Sequence, residues 1–248
     1  MDLDLYEQQF RVEKAHWWFR AKRHILWTLV DRYSPARSEG KLRVCELGCG
    51  TGANLDAVKD RYEVVGVDSS PQALEYARSR LGARVFQGEL PADIDLPKES
   101  FEVVVVSDVL EHIEDDRGSL ATAMRLLKPG GIVVATVPAN PWLYCEYDVR
   151  LHHVRRYSKP QFRTLMNSGG GEIKLLSYFN TLLFAPAVAV RLLGKLMPKR
   201  DPMAVLELPT AMVNEILAST MKSEAMALGR VPLPFGLSLA AVVKKSAV

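Results

Sequence analysis

Short apolar runs alternate with segments of helical periodicity through most of the 248-residue chain. Polar residues or glycines bound each run, which is typical of buried strands. Apolar residues recur at helical spacing between the runs, for example over 71–81 and 120–127. Strands that alternate with helices predict an α/β fold, with a largely parallel sheet and helices on both faces. The predicted strands, in chain order, are 42–46, 63–68, 84–87, 101–107, 132–137, 172–179 and 237–243.

The segment after the first predicted strand is rich in glycine. Gly48, Gly50 and Gly52 occur at alternate positions, and a helical pattern begins at Ala53. Glycine tolerates positive φ and has no Cβ, so this loop can turn sharply and let a ligand lie against the backbone. The first N–H groups of the following helix would face the same ligand. The pattern indicates a nucleotide-binding loop, and it also satisfies the loose dinucleotide fingerprint of NAD-dependent oxidoreductases.

Glu46 distinguishes between these ligands, because a carboxylate beside the loop would repel a pyrophosphate and attract a cationic ligand. The sequence also lacks the Tyr-x-x-x-Lys pair of one common reductase family. Residues 46–52, Glu-Leu-Gly-Cys-Gly-Thr-Gly, resemble the first motif of the class I S-adenosylmethionine-dependent methyltransferases. Leu-Glu-His at 110–112 and Leu-Lys-Pro-Gly-Gly at 127–131 are similar to later motifs of the same family.

The resemblance implies a Rossmann-like, seven-stranded, mostly parallel sheet with an antiparallel last strand. It also implies S-adenosyl-L-methionine as cofactor and a small-molecule methyltransferase as function. Asp68 follows the second strand, ~20 residues after the glycine loop, where an acid can bind both ribose hydroxyls. Glu89 and Leu90 match positions that meet the adenine, although a solvated loop acid is an equal alternative. The expected cofactor-binding residues are Arg23, Glu46, Gly48, Cys49, Gly50, Gly52, Asp68, Ser69, Glu89, Leu90, Ser107, Asp108 and Val109.

The fourth predicted strand leads into an acidic segment that contains a histidine. Asp108, Glu111 and His112 would share one face of a helix and could together ligate a divalent cation. Some ubiquinone-pathway O-methyltransferases bind metal with a similar motif. A triplet of this kind more often shapes the floor of a pocket, so we expect no metal here.

A basic segment follows the fifth predicted strand, with five arginines and lysines over 150–163 and no acid. A solvated basic turn is one interpretation. The adjacent His152 and His153 favour another, because histidine suits proton transfer near neutral pH. We expect one of them, or His112, to act as a general base for an oxygen acceptor. Arginines here indicate an acidic substrate. The expected substrate contacts are Trp17, Trp18, Tyr144, Arg156 and Tyr157.

Three segments lie outside the predicted nucleotide core. Residues 1–40 are predicted to form a helical cap, which either packs on the domain through its aromatic face or covers the cofactor. A methyltransferase domain is expected at 41–248. A helical insertion is expected over about 180–230, because the connection is long for a loop. Its apolar helix at 181–197 predicts a substrate lid or a dimer face; peripheral membrane contact through 181–200 is the alternative.

Composition narrows the class of protein further. The net charge of +3 and the lack of a long basic stripe argue against nucleic acid as a partner. Cys45, Cys49 and Cys145 have neither zinc nor redox spacing, which together with a polar N-terminus predicts a cytoplasmic protein. We expect a monomer or homodimer that methylates a small, acidic or partly apolar acceptor, with O-methylation favoured. A non-catalytic relative that only binds the cofactor remains an alternative.

Overall fold

A single seven-stranded sheet forms the centre of the protein, in the order β3-β2-β1-β4-β5-β7-β6. The computed structural model describes residues 3–36, 40–194 and 206–247. Strands β1 to β5 run parallel to one another, and β7 lies antiparallel between β5 and β6. The predicted Rossmann-like fold with an antiparallel last strand is therefore confirmed. The strands are β1 Arg43–Leu47, β2 Glu63–Asp68, β3 Val85–Gln87, β4 Phe101–Ser107, β5 Leu127–Pro138, β6 Glu172–Phe179 and β7 Ser238–Lys244.

Helices cover both faces of the sheet, and their starts follow local sequence signals. The helix at 71–81 begins with Ser70 as N-cap and Pro71 in its first turn. A capping box formed by Ser158 and Gln161 begins the helix at 159–168. The α-helices are α1 Leu3–Val12, α2 Trp17–Tyr33, α3 Ala53–Asp56, α4 Pro71–Leu81, α5 Asp116–Leu126, α6 Glu146–Arg150, α7 Lys159–Ser168, α8 Phe184–Gly194 and α9 Ala211–Ser223.

The sheet separates two apolar cores, because successive side chains of a strand point to opposite faces. In β4, Val103 and Val105 pack with α2, α4 and α9, whereas Val104 and Val106 pack with α5 and α7. All four of these valines are fully buried, as expected for a central parallel strand. This burial on both faces leaves the carboxyl ends of the strands as the place where a ligand can reach the sheet.

The N-terminal helices are fastened to the sheet domain by a buried ion pair. Glu13, between α1 and α2, accepts hydrogen bonds from the guanidinium group of Arg80 and the hydroxyl group of Thr51. The side chains of Glu13 and Arg80 are only 3% and 6% exposed. Arg80 also lies 4.2 Å from the ring centroid of Phe10. The segment before residue 41 therefore packs on the domain; the domain boundary itself stays a prediction.

Two element boundaries differ from the sequence prediction. Strand β5 begins at Leu127 rather than after the glycines, because Leu127 pairs with Phe101 and Gly130 takes a φ of +78° that carries the strand through the Pro-Gly-Gly segment. The helical insertion before β7 is present as α8 and α9, with α8 ending at Gly194. Residues 181–183 of the predicted 181–197 helix are not helical, and residues 195–200 of that helix and of the proposed membrane contact at 181–200 lie outside the described residues. Over the ranges that are described, no helix has the length and apolarity to cross a bilayer.

Candidate active site

The site begins where the direction of the chain across the sheet reverses. From β1 the chain continues to β2 and β3 on one side and then crosses to β4 and β5 on the other. Gly48 after β1 lies against Val109 after β4; a Cβ on Gly48 would be 2.3 Å from a methyl carbon of Val109. The N–H groups of Gly48 and Cys49 donate to Val67 O at 2.8 and 2.9 Å. Glycine is thus required at position 48, both for its φ of +73° and for this contact.

Asp68 at the end of β2 organises the glycine loop from the opposite side. Its carboxylate accepts hydrogen bonds from Gly50 N at 2.8 Å and from Ser70 N at 2.9 Å. Burial raises the pKa of Asp68, while these backbone N–H groups act to lower it. A Cβ on Gly50 would meet nothing within 4 Å, so the backbone of the loop is open to a ligand.

One cavity of about 1320 Å³ extends from this loop to the segments after β5 and β6. Most of the residues expected from the sequence line it. The cofactor candidates among its lining residues are Arg23, Gly48, Cys49, Gly50, Asp68, Ser69, Glu89, Leu90, Ser107, Asp108 and Val109. The other expected residues that line it are Trp17, Trp18, His112, Tyr144, His153 and Arg156. Helix α8 and the loop before it line the same cavity through Leu183, Pro186, Ala187, Val190 and Arg191.

Four expected site residues lie outside this lining. Gly52 has a φ of +81°, and a Cβ there would lie 3.2 Å from Ala77, so it serves the packing of α3 on α4. Tyr157 is buried, with its hydroxyl oxygen 2.8 Å from Asp116 and 3.2 Å from Leu110 O. His152 is exposed, at a φ of +57°. The structure therefore does not bring His152 and Tyr157 to the cavity. The expected acceptor-side residues that do line it include Trp17, Trp18, Tyr144, His153 and Arg156.

Glu46, the fourth of these residues, lies fully buried behind Asn54. Asn54 lines the cavity and donates to one carboxylate oxygen of Glu46 at 2.7 Å. The other carboxylate oxygen has no partner among the described residues. Burial raises the pKa of Glu46 to about 7, although the hydrogen bond from Asn54 acts in the opposite direction. Contact between Glu46 and a cofactor stays a prediction, and the structure shows only this indirect connection.

The acidic segment after β4 does not form the shared helix face expected from its spacing. Asp108 precedes the 3-10 turn at 110–112 and has a φ of +54°, so it leaves the helical register of Glu111 and His112. Its carboxylate instead accepts hydrogen bonds from Lys22 on α2 and from the hydroxyl group of Thr136. Both carboxylate oxygens of Glu111 are buried without a partner in the described structure. Burial, and then the charge of Asp108, raises the pKa of Glu111 well above its usual range.

A pair of histidines lies beside Glu111. The rings of His112 and His153 meet edge to face, with centroids 4.7 Å apart. Burial, and then the charge of His153, lowers the pKa of His112 to about 4, so that ring is neutral at pH 7. One potential ligand atom from each of Glu111, His112 and His153 lies within 4.8 Å of the others. Among the described residues, this group is the one whose geometry could hold a metal ion, and Asp108 of the alternative considered from the sequence is not part of it.

Asp148 orients this part of the site, and sequence analysis missed it. One of its oxygens accepts from Arg156 Nε at 2.8 Å and lies 2.9 Å from His153 Nδ1. Burial raises the pKa of Asp148, but His153 and Arg156 outweigh this effect and lower it to about 2. Asp148 is therefore an anion that fixes the His153 ring, with Nδ1 toward the carboxylate and Nε2 as the remaining nitrogen. Lys22, Tyr147 and Arg191 line the cavity too and carried no signal beyond helical spacing.

The raised pKa of Glu46 generates a prediction about stability. An unfolded glutamate titrates near pH ~4.3, so a native pKa of about 7 makes the native state bind the proton more tightly. The stabilisation of the native state by this proton is complete below pH ~4 and is lost as the pH rises through ~7. Glu46→Gln keeps an acceptor for Asn54 and carries no charge. Its melting temperature should exceed that of the wild type by ~7–15 °C at pH 8 and by much less at pH 5.

Thermal unfolding of both proteins from pH 4.5 to 8.5 provides the measurement. Glu75→Gln, on the exposed face of α4, is the matched control and should follow the wild type at every pH. A constant offset between Glu46→Gln and the wild type across this range would contradict the assigned titration.

Comparison with known proteins identifies the family. Residues 15–172, more than half of the chain, match the family model described as "Methyltransferase domain". A probable S-adenosylmethionine-dependent methyltransferase of Mycolicibacterium smegmatis is 27% identical over 165 residues, which are 65% of this chain and 62% of the relative. A ubiquinone biosynthesis O-methyltransferase of Alkalilimnicola ehrlichii is 34% identical over 115 residues, 43% of this chain and 45% of the relative. The chain thus spans less than two thirds of either relative.

Solved structures share the fold. A methyltransferase of Thermotoga maritima, described as a possible histamine N-methyltransferase, has a TM-score of 0.60 at 20% identity, over 98% of this chain and 96% of its own. A Haemonchus contortus phosphoethanolamine N-methyltransferase in complex with S-adenosyl-L-methionine has a TM-score of 0.57 at 20% identity, over 89% and 52%. The family match gives no support to the NAD-dependent oxidoreductase alternative. The chain belongs to the methyltransferase-domain family of class I S-adenosylmethionine-dependent methyltransferases, and S-adenosyl-L-methionine is its cofactor.

Proposed function

We propose that this protein transfers the methyl group of S-adenosylmethionine to an oxygen atom of a small, partly apolar and acidic acceptor. The observation that carries this proposal is the position of His153. Its ring lies in the same cavity as the glycine loop and is fixed by the buried carboxylate of Asp148. A histidine held in this way can take a proton from an acceptor hydroxyl group at neutral pH.

The described residues fit the cofactor at one end of the cavity. The bare backbone at Gly48 and Gly50 would lie along the ligand, and Asp68 would bind the ribose hydroxyls. Glu89 and Leu90 would meet the adenine. Arg23 supports the direction of binding: its Nε is buried without a partner in the part of the chain that the structure describes, and burial lowers its pKa. A carboxylate such as that of the methionine moiety would satisfy this cation.

Bound S-adenosylmethionine supplies an electrophilic methyl group on a sulfonium centre. The chain must then hold the acceptor oxygen in line with the breaking C–S bond and exclude water. His153 Nε2 would accept the hydroxyl proton as the acceptor oxygen takes up the methyl group that bound S-adenosylmethionine would supply. Asp148 stabilises the imidazolium that results. Trp17, Trp18 and Tyr144 border the cavity and would limit access of water.

The acceptor class rests on the lining and on the relatives. Four apolar residues of the loop before α8 and of α8 itself face the cavity: Leu183, Pro186, Ala187 and Val190. Relatives of known substrate class include the ubiquinone biosynthesis O-methyltransferase and a demethylmenaquinone methyltransferase of Tropheryma whipplei, 32% identical over 132 residues. An aromatic or lipid-linked acid with a hydroxyl group fits both observations. The direct test is transfer of labelled methyl groups from S-adenosylmethionine to fractions of a cell metabolite extract; a protein that binds the cofactor and labels nothing would be the non-catalytic relative.

The group of Glu111, His112 and His153 favours a second candidate mechanism. Two histidines with one carboxylate suit a divalent transition metal better than magnesium. A metal ion there would lower the pKa of the acceptor hydroxyl directly. It would also satisfy the two unpartnered oxygens of Glu111. In this mechanism His153 is a ligand and not a base.

Cofactor binding depends on Asp68. Replacing Asp68 with Ala removes the hydrogen bonds to the ribose and to the loop, and should weaken S-adenosylmethionine by roughly 1–3 kcal/mol, about 5- to 150-fold in Kd. Calorimetric titration measures the change. Asp95→Ala, at an exposed position, is the control and should bind like the wild type. Equal affinity of Asp68→Ala and wild type would remove Asp68 from the site.

Proton transfer depends on His153. His153→Ala should reduce kcat by about 10²- to 10⁴-fold, while the Kd for S-adenosylmethionine changes little, because the base acts in the reaction and not in cofactor binding. Asp148→Asn should lower kcat in the same direction by removing the charge that stabilises the imidazolium. His24→Ala, on the exposed side of α2, is the control. An unchanged kcat in His153→Ala would show that the base lies elsewhere.

Chelation separates the two mechanisms. With His153 as a base, activity should survive dialysis against EDTA, and the purified protein should hold no stoichiometric metal. Metal analysis and steady-state assays with added magnesium, manganese, iron(II) or zinc provide the measurement. Loss of activity with EDTA and rescue by one of these ions would replace the metal-free mechanism with the second candidate.

A further inference from the structure

The end of the cavity away from the glycine loop contains two arginines from separate elements. Arg156, from the loop before α7, is buried, with a side chain 4% exposed. Its Nε donates to Asp148 and its Nη1 to Ala139 O at 3.2 Å, so its guanidinium group is held firmly. Arg191 extends from α8 and lines the same cavity. The two side chains therefore place two fixed positive charges at one end of the pocket.

Arg191 lacks the anion that a buried guanidinium group needs. Its Nη1 is buried, and no residue of the described ranges accepts a hydrogen bond from it. Burial lowers the pKa of Arg191, and the charge of Arg156 lowers it further. A buried cation without a partner is costly, and a second cation beside it increases the cost. The arrangement is therefore incomplete without a negative group.

The carboxylate of Asp148, an acid near Arg191, already has other hydrogen-bond partners. The oxygens of Asp148 accept from Arg156 Nε, from His153 and from Cys145 N at 2.9 Å. Tyr147 stays neutral, because burial and the charges of Asp108 and Asp148 raise its pKa to about 12. Since no acid of the described residues bonds to Arg191 Nη1, we take a ligand as the source of the negative group.

We propose that Arg156 and Arg191 form a binding subsite for an anionic group of the methyl acceptor, a carboxylate or a phosphate. The apolar part of the acceptor lies along Pro186, Ala187 and Val190 on α8, which precede Arg191 on the same helix. This inference rests on the proposed function in that it names the acceptor of the same cavity. It goes beyond that function by assigning the specificity to Arg191, a residue of the helical insertion.

The subsite differs from the place proposed for the cofactor carboxylate. The ionisable residues near Arg23 include Glu13, Arg80, Glu46 and Asp56, whereas those near Arg191 include Arg156, Cys145, Asp148 and Tyr147. The two sets have no member in common. One anion at each end of the cavity therefore satisfies one group of cations, and the cofactor cannot serve both.

Direct binding of simple amphiphiles tests the subsite without any methyl transfer. The probes are decanoate, decyl phosphate and uncharged decanol, titrated calorimetrically into the full-length protein saturated with S-adenosylhomocysteine. The wild type should bind at least one anion roughly tenfold more tightly than decanol, through charge-assisted hydrogen bonds. The tighter of the two anions identifies the acidic group as carboxylate or phosphate.

The variants assign this preference to Arg191. Arg191→Met should lose it and bind all three probes alike, while Arg191→Lys should retain part of it, since a lysine keeps the charge but not the planar fork. Arg163→Met, on the exposed face of α7, is the matched control and should behave like the wild type. An unchanged affinity for S-adenosylhomocysteine in Arg191→Met reports that the fold is intact.

Two results would overturn the proposal: a wild type that binds decanol as tightly as the anions, or an Arg191→Met variant that keeps the preference for anions. Its failure is distinguishable from failure of the proposed function. Anion preference without methyl transfer to any metabolite leaves the subsite and removes the enzyme activity. Methyl transfer that is unaffected by Arg191→Met leaves the enzyme activity and removes the subsite.

Discussion

The reversal of strand order between β1 and β4 is the constraint on which the site depends. Adjacent parallel strands whose chains continue to opposite sides leave a crevice at their carboxyl ends. Gly48 and Val109 come from the two sides of this reversal and touch. Because Gly48 has no Cβ and adopts a left-handed backbone, the chain can turn out of β1 in direct contact with Val109. Asp68 then fixes the loop through Gly50 N, so that the neighbouring strand end, β2, determines its shape.

The charges of the cavity divide it into two ends with different tasks. Asp68 and Arg23, whose Nε has no partner among the described residues, lie at the end of the glycine loop, where a cofactor would place hydroxyl groups and a carboxylate. Asp148 organises the other end, because a single buried carboxylate orients a histidine and an arginine together. Neither carboxylate oxygen of Glu111 has a hydrogen-bond partner among the described residues, although the groups around it are hydrogen-bonded. A ligand or ion bound beside Glu111 would therefore change the electrostatics of the cavity most.

Sequence analysis placed residues at the cavity where their position follows from the end of a strand, while their roles stay predictions. Asp68, Ser107 and Asp108 end strands that are recognisable from local apolar patterns, and parallel pairing brings such ends to one edge. It failed where separate elements meet. Lys22 reaches Asp108 only because α2 packs on the sheet, and nothing in the sequence around Asp148 indicates its contacts with His153 and Arg156. It also left His152 and His153 equivalent, because the left-handed backbone that exposes His152 is a property of the folded loop.

A crystal structure of the protein with S-adenosylhomocysteine tests the central claim, that the two ends of this cavity hold cofactor and acceptor respectively. The account predicts that the adenosyl group contacts Asp68 and the glycine loop, that the carboxylate meets Arg23, and that the sulfur faces the end with His153 and Arg191. A sulfur atom directed away from His153, or a ligand carboxylate bound by Arg191, would contradict it.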